Sequence, residues 1–132
     1  MEKIIWVIGG DKQEIVEAQR RINSTGSMRA LCMLSFDAVE KVVTDENQKE
    51  PSRITTPSLI ILDYETELEG DFYTLSYLKS QRKLAGVPIF FMMNTKSEEL
   101  DEECYARGAT VVLHKPFSKA GVLRIERTAW QY

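Results

Sequence analysis

Five short apolar runs, each followed by residues with helical periodicity, constrain this 132-residue chain more than any other feature. They occupy residues 4–8, 30–34, 59–62, 87–93 and 110–113. Runs of that length suit strands buried on both faces, the situation of strands in a parallel sheet. After the first run, Asp11 and Glu14 have capping-box spacing, and Ile15, Ala18 and Ile22 recur on one face until Thr25-Gly26 breaks the pattern. A second helix is expected near Ser35 with Phe36, Val39, Val42 and Val43 inward, and the polar stretch 45–53 reads as a loop. Acidic residues fill a loop after residue 63, then Phe72, Leu75 and Leu78 are spaced for a third helix. A fourth helix, near residues 97–107, is terminated by Gly108, and a last one starts at about Ser118. Parallel strands are joined almost always by right-handed crossovers, so the alternation predicts a five-stranded parallel sheet with helices on both faces, an α/β fold.

The length suits one compact domain spanning residues 1–132, and 43% hydrophobic with 28% charged residues is a globular composition. A net charge of -3 without any run of Lys or Arg argues against direct nucleic-acid binding. No apolar stretch reaches membrane-spanning length, and Met1-Glu2-Lys3 leads into a strand pattern rather than a signal peptide, so a cytoplasmic location is expected. Cys32 and Cys104 have neither a CxxC partner nor a ligand-spaced histidine, which indicates reduced thiols rather than a zinc site or disulfide framework.

In open parallel sheets ligands collect at the carboxyl ends of the strands, where strand order reverses. That edge carries Gly9, Gly10 and Asp11 after the first run, Asp63 after the third, Asn94 and Thr95 after the fourth, and Lys115 with Pro116 after the fifth. Gly108-Ala109, Leu113 and Lys115-Pro116-Phe117, together with Leu59-Ile60-Ile61-Leu62-Asp63, resemble the receiver domains of two-component response regulators over essentially the whole chain. The resemblance implies the (βα)5 flavodoxin-like receiver fold. It also implies that Asp63 accepts a phosphoryl group from a histidine kinase and that Lys115 pairs with that phosphoryl. Pro116 fits the cis peptide with which the family aims its lysine. The chemistry is sound, since a carboxylate can attack phosphorus and phosphoryl transfer depends mainly on positioning and on cations.

Several positions depart from the family pattern. Two acidic residues usually follow the first strand and hold Mg²⁺, whereas this chain has Gly9-Gly10-Asp11. In one register Asp11 survives as a metal ligand beside Asp63; in the other it is a helix N-cap and no strand-1 ligand remains. The hydroxyl expected at the end of the fourth strand is replaced by Met93, whose thioether cannot donate, so that contact is absent unless Thr95 reaches in. The aromatic switch position falls on Val112, and Tyr64-Glu65-Thr66-Glu67 replaces the usual Met-Pro pair. Glu65, Glu67 and Glu69 disfavour another anion nearby. His114, at a strand end, is given no catalytic role.

The expectation is a receiver-like module acting through protein contacts, with weak or absent phosphorylation of Asp63. Its surface from Ser97 to Tyr132 corresponds to the family's docking and homodimer face, and Trp130 and Tyr132 lie at its core edge or interface. One alternative is a fully phosphorylatable receiver using Mg²⁺ held by Asp11 and Asp63. Another, of a different class, is a small flavodoxin-like nucleotide- or flavin-binding enzyme, although neither GxGxxG nor GxxxxGK[ST] is present.

Overall fold

The computed structural model describes residues 2–48 and 56–131. Its elements, in chain order, are β1 (Lys3–Ile8), α1 (Lys12–Asn23), β2 (Met28–Met33), α2 (Phe36–Gln48), β3 (Leu59–Asp63), α3 (Tyr64–Glu69), α4 (Tyr73–Lys79), β4 (Ile89–Met93), α5 (Glu98–Ala106), β5 (Val111–His114) and α6 (Lys119–Gln131). A single 3₁₀ turn, Arg82–Leu84, precedes β4. All strand pairings are parallel and the order is β2-β1-β3-β4-β5. The expected α/β architecture is therefore present, and the order reverses between β1 and β3.

Strand residues alternate between two cores, because successive side chains leave opposite faces of a sheet. Trp6, Ile60, Leu62, Phe91 and Met93 face the layer that includes α2, α3, α4 and α5, through Val39, Val43, Tyr64, Leu75, Leu78 and Cys104. Ile5, Val7, Ile61, Phe90 and Met92 face α1 and α6, through Ile15, Ala18, Ile22, Ile125 and Ala129. Phe90 and Phe91 thus bury neighbouring rings in different cores, and full burial of a side chain of this size stabilises by about 1.5–3 kcal/mol.

Two stretches depart from expectation. Residues 45–48 continue α2 rather than opening a loop, while residues 49–53 of that expected loop lie outside the described residues. The acidic stretch after Asp63 is not a loop but the helix α3, for which Asp63 is the N-cap. It ends at Gly70, and Asp71 and Phe72 follow with φ of 53° and 59°. Left-handed backbone disfavours side chains, but Phe72 is offset by burial: it is 2% exposed and lies under the Arg107 guanidinium, 3.6 Å from the ring centre. Phe72 is therefore the N-cap of α4 rather than part of the helix, and Leu75 and Leu78 supply the buried face. Its cap comes from elsewhere: Glu67, buried, accepts a 2.8 Å hydrogen bond from the Leu75 amide.

Candidate functional site

Chain order and local caps bring Asp63 and Lys115 together at the β1/β3 reversal. Asp63 ends β3 in the strand register and is 2% exposed. The amide of Lys115 donates to Met93 O at 2.9 Å, tying the start of the β5–α6 connection to the end of β4. The Lys115-Pro116 bond is cis. From there Lys115 Nζ lies 2.5 Å from Asp63 Oδ1. The second oxygen of Asp63 accepts from the Thr66 amide at 3.0 Å and the Thr66 hydroxyl at 2.7 Å. Thr66 Oγ1 in turn accepts from the Gly10 amide at 3.0 Å.

The turn after β1 explains why both residues there are glycine. Gly9 and Gly10 have φ of 84° and 89°, a region that other residues adopt at a cost. A side chain at Gly9 would place its Cβ 3.2 Å from both Asp63 Cβ and Thr66 Cβ. The turn lies directly against Asp63, and its backbone amide rather than a carboxylate reaches the site.

Of the two registers open for Asp11, the structure has the N-cap: Asp11 Oδ1 accepts from the Glu14 amide at 2.8 Å, and the Glu14 side chain reaches back to the Asp11 amide in a capping box. Its carboxylate is used at the helix start. The same box holds Glu14 over the strand ends, where Glu14 Oε1 lies 3.0 Å from Lys115 Nζ. Glu65 Oε1 lies 3.6 Å from that nitrogen and accepts from the Asn94 amide at 3.1 Å. Glu67 points into the core, because residues two apart on a helix lie on different faces. The Lys115 side chain is 8% exposed, and burial lowers its pKa, but the hydrogen bonds it donates to Asp63 and Glu14 outweigh this and hold the pKa above the ordinary lysine value. It is charged at neutral pH.

Met93 is fully buried in β4, Thr95 is exposed, and the hydrogen bonds to Asp63 come from Lys115 and Thr66. Val112 is half-buried in β5, paired with Phe91. His114 is the last residue of that strand rather than the first beyond it, with Nε2 3.5 Å from Asp101 Oδ1. A cleft of about 290 Å³ opens beside Lys115, lined by Gln13, Glu14, Met92, Asn94 and Phe117 among others. Glu14 and Thr66 were missing from the expected site. The capping-box spacing was the signal for Glu14, since the box turns its carboxylate back toward the strand end. Thr66 follows Asp63 by three, the position whose amide an N-cap carboxylate engages.

The donors do not suit the magnesium site that the receiver resemblance implies. The positions Gly9 and Gly10 after β1 offer only backbone, Asp11 caps α1, and Asp63 Oδ1 already meets an ammonium. Among the described residues no group of three or more Asp, Glu, His or Cys side chains is arranged to hold a metal ion.

The sheet order, the helices on both faces and the strand-end site define the fold as that of CheY-like response-regulator receiver domains. A two-component response regulator from Legionella pneumophila superposes with a TM-score of 0.78 at 14% identity, over 100% of both chains. A receiver protein from Burkholderia phymatum gives 0.71 at 24% identity, covering 98% of this chain and 96% of that one. A response regulator from Desulfuromonas acetoxidans gives 0.73 at 16% identity, over 99% and 98%. No protein-family model and no curated protein matches the chain.

Proposed function

We propose that the chain is a single receiver-like domain of a two-component response regulator, working in cytoplasmic signal transduction through protein contacts rather than as an enzyme. Asp63 is its phosphoacceptor position, and phosphorylation there is weak or absent. The observation that carries the reading is the buried Asp63–Lys115 pair at the point of strand reversal, joined by a backbone-only turn at Gly9-Gly10 and by Met93 where a hydroxyl is expected. The first feature supports descent from a phosphotransfer site. The other two remove what such a site needs, a metal cradle and a donor to the phosphoryl oxygens.

The working surface is then α5, β5 and α6, within the stretch from Ser97 to Tyr132, with Tyr132 itself outside the described residues. A hollow of about 460 Å³ lies on it, lined by Val112, Leu113, His114, Gly121 and Arg124 among others. Trp130 is half exposed on α6, with the Lys3 ammonium 4.9 Å from its ring centre. A second copy of the chain or a histidine kinase is the partner class this reading assigns.

The test adds Mg²⁺ with a beryllofluoride phosphoryl mimic and follows backbone amide NMR shifts. The expected result is no saturable shift at Asp63 or Lys115, with self-association by sedimentation equal in wild type and Asp63→Asn. Shifts centred on Asp63 that disappear in Asp63→Asn would instead establish an active phosphoacceptor. A flavin or nucleotide retained through purification would overturn the signalling reading.

A further inference from the structure

Three carboxylates from three different elements converge on one buried amine. Lys115 Nζ is 2.5 Å from Asp63 of β3, 3.0 Å from Glu14 of α1 and 3.6 Å from Glu65 of α3. We propose that the Lys115 ammonium is the resident cation of this site, holding these carboxylates together in place of a divalent metal and closing the site to one.

Four observations carry this. The Lys115 side chain is more than nine-tenths buried, so its charge is spent inside the site and not on solvent. Any ion that bridged Asp63 Oδ1 and Glu14 Oε1 would need oxygens at about 2.0–2.6 Å, and would then lie against the ammonium that both oxygens already contact. The positions that could have offered acids beside Asp63 are glycines in a positive-φ turn, where a side chain is strained whatever its charge. Glu14 reaches the amine from the first turn of α1, fixed by the capping box, so its place is set by a helix start and not by a metal. A tethered cation differs from a bound one in a way that matters for signalling: it cannot be diluted away, and the carboxylates keep a counter-cation at any metal concentration.

The inference rests on the proposed reading that the Asp63 site lacks a metal cradle, and says what fills that place. Its test contains no phosphodonor, so its failure would leave the signalling reading standing, and the reverse is also true. Wild type and Lys115→Met, which keeps the aliphatic stem and loses the charge, are titrated at constant ionic strength with Mn²⁺ while amide resonances are followed. In wild type no saturable broadening is expected at Gly10, Glu14, Asp63 or Thr66. In Lys115→Met the exposed ends of Glu14 and Glu65 have freedom to close on an ion, and saturable broadening at those amides is expected. Ca²⁺ at ~10 mM should also raise the melting temperature of the variant by about 3 °C or more, and leave wild type unchanged. Saturable broadening centred on Asp63 in wild type, or no metal response in the variant, would overturn the proposal. Should Lys115→Met be unfolded in metal-free buffer, recovery of amide dispersion with Ca²⁺ counts for it and lack of recovery against it.

Discussion

Thr66 links the strand-end carboxylate to the turn after β1, since its hydroxyl donates to Asp63 and accepts from the Gly10 amide. Thr66→Val keeps the shape and removes both bonds. Because the Gly10 amide can be reached by water, the expected loss is modest, about 0.5–1.5 kcal/mol by urea denaturation. Gly9→Ala should cost more than its single methyl suggests, about 1–2 kcal/mol by the same measurement, because φ is 84° and the added carbon meets Asp63 and Thr66 at 3.2 Å. The cysteines separate by environment. Cys104 is fully buried, and burial with the nearby Glu103 and Asp101 charges pushes its thiol up to about 12. Cys32 is half-buried, and its thiol is raised by burial alone. Iodoacetamide with mass readout should leave Cys104 unmodified in the native protein, label Cys32 more slowly than a free thiol, and label both after denaturation. Asp63 and Lys115 could be picked out in the sequence because strand ends and the Lys-Pro-Phe stretch mark them. Glu14 and Thr66 could not be assigned to the site in the same way, because a capping residue and a threonine in an acidic stretch acquire a role only when another element comes within hydrogen-bonding reach.

The break between α3 and α4 is the least regular connection at this edge of the sheet, and one buried carboxylate manages it. Glu67, in α3, supplies the cap that the Phe72 side chain cannot, through the Leu75 amide. Its pKa is raised, first by burial, with the Asp63 charge adding to the rise and hydrogen bonds from the Leu75 amide and the Thr74 hydroxyl opposing it. The folded state therefore binds a proton more tightly than the unfolded chain does. The linkage sign follows: the Glu67 contribution is fully present below the ordinary carboxylate value near 4.5 and is lost as pH rises through the folded value. The difference in melting temperature between wild type and Glu67→Gln should hence change with pH above about 4.5, wild type losing ground as pH rises. Asp71→Gly, at φ 53° on an exposed residue, should stabilise by up to about 1 kcal/mol, provided Phe72 keeps its burial under Arg107. The acidic composition of this stretch suggested a loop, since its charge pattern gives no buried helical face of useful length. What made it helical was Asp63 acting as an N-cap, a role that a strand-terminal aspartate reveals only once the chain's direction after it is fixed.

At the scale of the molecule, two cores on opposite faces of one sheet meet through alternating strand residues, and the site lies outside both at the strand ends. Phe90→Ala, which empties the α1/α6 side alone, should cost about 3–5 kcal/mol by urea denaturation and leave the Asp63–Lys115 contact in place, as read from their amide shifts. The order of apolar runs and helical faces was sufficient for the α/β class, the number of strands and the helices on both sides, because burial on two faces and a 3.6-residue period leave few other ways to cover such strands. The positions of Asp63 and Lys115 followed from the same logic. Strand order and local caps then decided the rest. Whether Asp11 faced a metal or capped a helix was undetermined by spacing, since the same residues satisfy either register; in the structure Asp11 and Glu14 form the capping box. The sequence by itself therefore determined where an acid and an amine would meet. Only the tertiary structure decided that two further carboxylates would join them around the amine, because those contacts come from a helix cap and a short helix whose placement depends on the packed sheet beneath.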